Sequence, residues 1–598
     1  MTLDHSPQPA FEDFRRRNFQ LIRAMPVITT FLTLTLSVLV LITGVNASDA
    51  PTQSGVADVR YVVRHPSSEG RTYSVSISFV GLPSGVTVIR IPTSYVQATG
   101  ADKGIQRLRV STLDAKLSSG NEAGSMSISH RPNERLTVLY DAVPLDTAVP
   151  NSDSSSQYLP VMQPTYLHWV GPTSWVIPMI PSGGMASITF ENLPPDWAVA
   201  SSFGIDRGLH FKWSPNTLLN SLTLAGDFRL VTKQTSVGGR RITLAIRGTW
   251  PVTDETFAAN LLKIIDGQQQ FWEDGNGADF VAALMPLEKK VFSTMTGTAF
   301  VNSFTTFVTP DKTPREIERL WTHESMHQWL PRAFGRIAAP SARLSWFGEG
   351  FTDYYTQVLM LRWGLIELQD FVDEFNAALK KLAESDYAML SNDEVAAGFA
   401  RNRSIQTLAY QRGMLLAASW DSDIRAASKG EKSLDDALRW LRAEQQKTLG
   451  AALNRGLIEA AVKRFGVVDP AADVDRFVEP GEPVQARFAG SLPCIASENI
   501  AITIADPGFS IAASERDQKI SGVVEHSAAH EAGLRNGQDV AQMPQATAAP
   551  NREVKVKVRV NGEIKELRYV PDAQKQKSLQ QLKVKNDASC ASFFALKP

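Results

Sequence analysis

At 598 residues the chain is too long for a single hydrophobic core and predicts about three or four domains. Its 61 basic and 62 acidic side chains nearly cancel, and no basic cluster suits a polyanion, which excludes nucleic acid as the partner. Hydrophobic residues at 43% and charged ones at 21% are ordinary for a globular protein.

Residues 1–48 read as a targeting segment. Arg15, Arg16, Arg17 and Arg23 precede an uncharged stretch from Met25 to Ser48, and Val45-Asn46-Ala47 offers a small-residue cleavage site. The basic side stays in the cytoplasm and the remainder crosses the membrane, so the protein is expected to be exported, periplasmic or extracellular. Two fates stay open: removal as a signal peptide, or retention as an N-terminal anchor in the inner membrane.

Residues 50–248 read as a β-sandwich-like domain. Asp58–Arg64, Thr72–Phe79 and Arg241–Arg247 alternate with the strand period between Gly/Pro punctuation. No catalytic constellation is evident here, and His65, His130, His168 and His210 read as structural or exposed. Residues 250–485 change pattern. Thr256–Gln270 is helical, Phe300–Thr309 alternates as a strand, and helical periodicity marks Leu365–Glu384, Gln406–Ser422 and Ser433–Gln445. Residues 490–598 return to strands, with a hairpin signal at Asn561-Gly562 between Val554–Val560 and Glu563–Tyr569. Lys519–Val524 reads as a strand, Ser527–Leu534 as a short helix, and the run from Lys575 to Lys585 as a solvated face. The whole is a multidomain α+β chain. Cys494 and Cys590 are its two cysteines; one bridge and two buried thiols are both open readings.

The chemistry gathers in Trp321-Thr-His-Glu-Ser-Met-His-Gln-Trp329 and Trp346-Phe-Gly-Glu-Gly-Phe-Thr-Asp-Tyr-Tyr355. His323 and His327 are four apart, so on a helix they share one face and can grip one Zn²⁺. Glu324 between them reaches a water at that position. Thr313-Pro-Arg-Glu316 supplies an N-cap, a first-turn proline and a capping-box glutamate, so the run is expected to be helical until Pro331. Glu349 is the best third ligand, on a second helix packed beside the first. Asp353, one turn on, is placed to accept an N–H from a ligating histidine. His526 and His530 are also four apart, but no glutamate follows the first, and they read as exposed. Zinc with an adjacent carboxylate suits attack of water on a carbonyl, Glu324 taking the proton and delivering it to the leaving amine. An oxyanion donor is still needed, and Tyr410 in Ala409-Tyr-Gln-Arg-Gly413 is one candidate among eleven tyrosines.

These motifs resemble those of the gluzincin metallopeptidases, and within them most the glycyl aminopeptidase family, which joins an N-terminal β domain, a thermolysin-like domain and a C-terminal PDZ domain. Tyr410-Gln-Arg-Gly413 is similar to that family's Tyr-x-Lys/Arg-Gly segment. The resemblance implies that His323, His327 and Glu349 bind zinc, that Glu324 is the base and that Tyr410 stabilises the oxyanion. Ser521–Asp539 is similar to the bacterial PDZ pattern, with Gly508-Phe-Ser-Ile511 as the loop that would capture a C-terminal peptide ligand. Two departures stand out. The family's Gly-Gly-Leu-Glu-His-like segment carries a glutamate expected to hold the substrate's amino group, whereas Gly297-Thr-Ala-Phe-Val-Asn-Ser303 has no carboxylate. After Asp539, Val540–Pro550 reads as a proline-broken loop rather than a strand. Exopeptidase and endopeptidase action are therefore both open. So are a PDZ-bearing peptide-binding scaffold without efficient cleavage and a zinc hydrolase of a non-peptide amide or ester.

Overall fold

Strand periodicity in the N-terminal half translates directly into layers. Tyr73–Val80 and Val59–Arg64 bury every second side chain, as the two-residue repeat of a half-covered strand requires. The computed structural model describes residues 58–66, 70–95, 98–145, 158–275, 277–287, 294–448, 451–488, 494–544 and 551–585. The targeting segment at 1–48 and Cys590 lie outside the described residues. Cys494 is buried and disulfide-bonded. Among the described residues no helix is long and apolar enough to cross a membrane.

Four layers lead to the site. A six-stranded sheet runs in the order Gly208–Lys212, Met185–Glu191, Val59–Arg64, Tyr73–Val80, Arg135–Ala142, Ile105–Val110. A four-stranded sheet (Val161–Gln163, Tyr166–Val170, Leu222–Gly226, Ala198–Ser201) packs on it through Tyr61, Tyr73, Trp169 and Trp175. The opposite face of that second sheet, with Tyr166, Val170 and Leu224, covers Ala245, Val281 and Phe307 of a five-stranded sheet. Tyr166–Val170 is buried on both faces, so apolar side chains fill both and His168 is its one ionisable member in the physiological range. His168 in that strand bonds Thr305 of the five-stranded sheet through Nε2 (3.0 Å), and burial pushes its pKa down to about 3. It is a neutral structural histidine joining two layers, as the sequence suggests.

The five-stranded sheet runs Arg229–Gln234, Arg241–Ile246, Phe280–Pro286, Ser303–Val308, Met295–Phe300. Arg241–Ile246, grouped by alternation with the strands before it, instead pairs in parallel with Phe280–Pro286 in this sheet. Periodicity marks a strand but not its partner. The expected single strand over Phe300–Thr309 is the second arm of a hairpin, turning at Val301–Asn302 with Asn302 at a left-handed φ of 47°. Helices Asp254–Trp272 and Pro314–Met326 cover the remaining face through Phe257, Leu261, Ile317 and Trp321.

A helical region follows, built from Thr352–Arg362, Leu368–Glu384, Arg403–Ala427 and Leu434–Lys447 around one large apolar core. In the C-terminal region Asn561 and Gly562 take left-handed φ values of 53° and 86° and close the expected hairpin. Lys519–Val524 is not a strand; it contributes an isolated bridge from Lys519 to Asp539. Asp539–Gln542, expected as the start of a loop, pairs with Val554–Val560 through a bulge, and residues 545–550 lie outside the described residues. The lysine-rich run is the strand Gln574–Val584, and it buries Leu579 and Leu582 against the helical region rather than forming only a solvated face. Asn376 and Leu582 exchange two hydrogen bonds across that contact, at 2.8 and 2.9 Å.

Candidate metal centre

Helix Pro314–Met326 begins as its sequence dictates. Thr313 accepts from the Glu316 N–H while Glu316 Oε2 accepts from the Thr313 N–H (2.9 Å), so two otherwise unpaired donors are satisfied reciprocally. The α-helical hydrogen bonding ends at Met326, yet His327 keeps right-handed helical φ and ψ, so both imidazoles share one face. The motif's other polar groups pin the helix to the sheet. Trp321 Nε1 donates to Thr306 Oγ1, Trp329 Nε1 to Asp274, and Gln328 bonds both the Phe300 carbonyl and the Asn302 N–H.

Glu349 sits on a turn of π-helix, Trp346–Phe351, that runs into helix Thr352–Arg362. Wider turns of this kind redirect side chains and recur at functional sites. The turn is held against helix Arg403–Ala427 by a glycine contact: a Cβ on Gly413 would collide with the Trp346 carbonyl, and one on Gly350 with the Gly413 backbone. That contact gives Tyr410-Gln-Arg-Gly413 a physical meaning, because it places Tyr410 three residues before a site only glycine fits.

His323 Nε2 and His327 Nε2 lie 3.1 Å apart, and each lies 3.4 Å from Glu349 Oε2. Ligands about 2.0–2.1 Å from a tetrahedral zinc ion stand about 3.3 Å from one another, so the three atoms mark one face of such a tetrahedron. Glu349 Oε2 is buried without a hydrogen-bond partner, a costly arrangement that a cation relieves. The outer ring nitrogens fix the tautomers. His323 Nδ1 donates to Asp353 (2.8 Å) and His327 Nδ1 to the Leu330 carbonyl (2.9 Å), so both Nε2 atoms face one point, where a metal takes the lone pair of each neutral ring.

Burial disfavours the charged form of His323, but Asp353 and Glu349 outweigh it and raise its pKa to about 10. Burial likewise pushes the Glu349 carboxyl up, and the charges of His327 and His323 reverse this and hold it well below the usual range. Glu324 is raised, chiefly by burial, which suits a group that takes and returns a proton. Gly297 lies so near Glu324 that a Cβ there would strike its carboxylate. Tyr410 stacks on His323, with ring centroids 5.8 Å apart and planes 15° from parallel. Burial first, then the nearby Glu349, push its phenol pKa well up, so it stays a hydrogen-bond donor.

The structure thus brings together all six residues singled out by sequence: His323, Glu324, His327, Glu349, Asp353 and Tyr410. Two others were missed. Arg332 bonds the Phe300 and Ala299 carbonyls of the strand that passes Glu324, and Tyr95, from the short strand Ser94–Tyr95 of the N-terminal β region, is within electrostatic reach of Arg332, Glu324 and Glu349. That region was expected to add nothing to the chemistry, and no local pattern could link Tyr95 to a motif over 200 positions away. His526, His530 and Glu531 also bring ligand atoms within 4.8 Å of one another. His526 and Glu531 are exposed there, and the Arg535 guanidinium donates to the His530 carbonyl, which disfavours a cation.

The M61 glycyl aminopeptidase family model matches residues 316–414, which span the whole metal centre and Tyr410. No curated protein matches the chain. The crystal structure of an aminopeptidase N family protein from Idiomarina loihiensis is similar over 90% of this chain and 100% of that one, with a TM-score of 0.66 at 15% identity. An M1 zinc metallopeptidase from Deinococcus radiodurans is similar over 73% of this chain and 96% of that one, with a TM-score of 0.45 at 14% identity. The matched segment carries the His-His-Glu group and Tyr410, so the chain is similar to the M61 family across its metal centre, and the protein is a zinc metallopeptidase.

Proposed function

We propose that the protein is an exported peptidase in which Glu324 is the base and Tyr410 the oxyanion donor. The carrying observation is the convergence of His323, His327 and Glu349, with Glu324 beside them and Tyr410 stacked on His323. Zinc, when bound by those three residues, supplies Lewis acidity that lowers the pKa of water and polarises a carbonyl. Glu324 takes the proton from the attacking water and hands it to the leaving nitrogen. Asp353 and the Leu330 carbonyl hold the two imidazoles in the required tautomer. Tyr410, kept protonated, donates to the oxygen that becomes negative. The peptide is proposed to lie along Met295–Phe300, which is the edge strand of its sheet among the described residues and passes beside Glu324 at Gly297.

Residue 299 is alanine and no carboxylate occupies this strand, which supports cleavage that does not depend on a free amino terminus. The family description supports aminopeptidase action, so the two are separated by experiment. The zinc-loaded protein is incubated with a peptide library in free and N-acetylated forms, and new termini are read by mass spectrometry with a chelator control. Zinc-dependent cleavage of both forms supports the proposal, cleavage of free forms alone supports an aminopeptidase, and cleavage of neither contradicts a peptidase.

The proposed domain division follows sheet membership: a β domain to about residue 227, a thermolysin-like domain from Arg229 through 488, and a PDZ-like domain from Cys494. For the last a packing role is favoured over peptide capture, because in Gly508-Phe-Ser-Ile511 the Gly508 N–H donates to Asp506 and the Ser510 N–H to the Ser521 carbonyl. Export rests on the basic residues at 15–23 and the uncharged stretch after them.

A further inference from the structure

The edge strand Met295–Phe300 passes Glu324 at Gly297 and, two and three residues further, meets a cation. Arg332 donates to the Phe300 carbonyl, to the Ala299 carbonyl (3.4 Å) and to Gln328 Oε1 (3.3 Å). These are neutral acceptors. Burial pulls the Arg332 pKa down to about 10, and Tyr95 and Glu324 pull it back up, so the guanidinium stays charged at neutral pH. Among the described residues no carboxylate forms an ion pair with it. Glu324 is the acid that it feels, and Glu324 is reserved for proton transfer. A half-buried cation whose hydrogen bonds go to two carbonyls and an amide holds its charge without an ion-paired carboxylate, which is costly. Tyr95 is within its electrostatic reach and is kept protonated, first by burial and then by Tyr158, so it can add a second donor. Strand rise of about 3.3 Å per residue sets Ala299 and Phe300 roughly 7–10 Å along the strand from Gly297. That is the reach of a side chain one or two positions from the bond facing Glu324. A latch that merely pinned the strand would need hydrogen bonds but no charge left without an ion-paired carboxylate.

We propose that Arg332, assisted by Tyr95, selects substrates carrying a carboxylate one or two residues from the scissile bond. This rests on the peptidase reading of the same cleft. The shared chemistry is a carboxylate; an aspartate or glutamate side chain and a peptide's own C-terminal carboxylate both supply it. A charge-assisted hydrogen bond in a partly dry site discriminates Glu from Gln by about tenfold to a hundredfold.

The test uses the zinc-loaded full chain and internally quenched peptides with Glu or Gln at each of two positions on either side of the cut, each made as C-terminal acid and amide. The expected result is a kcat/KM ratio of about tenfold or more favouring Glu at one position. That ratio falls toward one in Arg332→Met and is partly kept in Arg332→Lys, with zinc content stoichiometric throughout. A preference that follows the acid over the amide instead identifies the C-terminal carboxylate as the group read. A Glu/Gln and acid/amide ratio near one at every position of the wild type, with neutral peptides still cut, overturns this inference alone, and so does a preference that survives in Arg332→Met. Should Arg332→Met fail to fold, the wild-type ratio and the Arg332→Lys variant still decide. Cleavage of no peptide at all overturns both this inference and the peptidase reading.

Discussion

Gly413 and Gly350 meet backbone to backbone, and that contact holds the turn that carries Glu349 against the helix that carries Tyr410. The two side chains belong to elements far apart in sequence, so their relative placement depends on how closely the π turn approaches helix Arg403–Ala427. Gly413→Ala is expected to force the two apart, costing about 1–3 kcal/mol of stability and lowering zinc affinity together with activity. A thermal melt and a zinc titration check it; a variant with unchanged Tm and affinity contradicts this role.

The carboxylate of Asp353 fixes the His323 ring from outside the ligand set. Asp353→Asn removes its charge and keeps its shape, so zinc affinity is expected to fall by about 10- to 100-fold with the fold unchanged. Competition with a chelator of known affinity, alongside circular dichroism, reads both quantities.

Tyr410→Phe keeps the ring stacked on His323 and removes only the hydroxyl. It is expected to lower kcat by about 10²–10³ with zinc content intact and KM little altered. An equal loss carried by KM would assign the hydroxyl to ground-state binding instead.

In the ion-free protein, burial opposes the His323 charge, while Asp353 and Glu349 lift its pKa to about 10, above roughly 6.5 in an unfolded chain. The raised value means that the stabilisation of the ion-free fold is complete below about pH 6.5 and is lost as pH rises toward 10. Zinc needs the lone pair on Nε2 and therefore displaces a proton. Zinc affinity is expected to rise with pH across that window, up to about tenfold per unit. Calorimetric titration at pH 7.5 in buffers of different ionisation enthalpy is expected to show release of about one proton; no release contradicts the assignment.

What the sequence disclosed follows the range of each interaction. His323, Glu324 and His327 were legible because one capped helix carries them, and Asp353 because it follows Glu349 by one turn. The π turn at Trp346–Phe351 was not, since it depends on a glycine contact with a helix over 60 residues on. Arg241–Ile246 was recognisable as a strand but not as a member of the five-stranded sheet, because alternation reports burial and not the neighbour. The hairpin at Val301–Asn302 hid inside one apolar run. Tyr95 had no local mark at all, and Arg332, three residues past the first motif, is outside its helical repeat and gains meaning only from the strand it touches.

In the zinc-dependent peptide hydrolysis proposed above, Glu324 moves the proton. Glu324→Gln keeps the size of the side chain and abolishes its basicity, and residue 324 is not one of the three ligands. The most direct measurement is peptide hydrolysis by wild type and Glu324→Gln at matched, independently measured zinc content. One zinc per chain is expected in both, with a fall in kcat of about 10²–10⁴ in the variant. Wild-type rates in a zinc-loaded Glu324→Gln protein would contradict it.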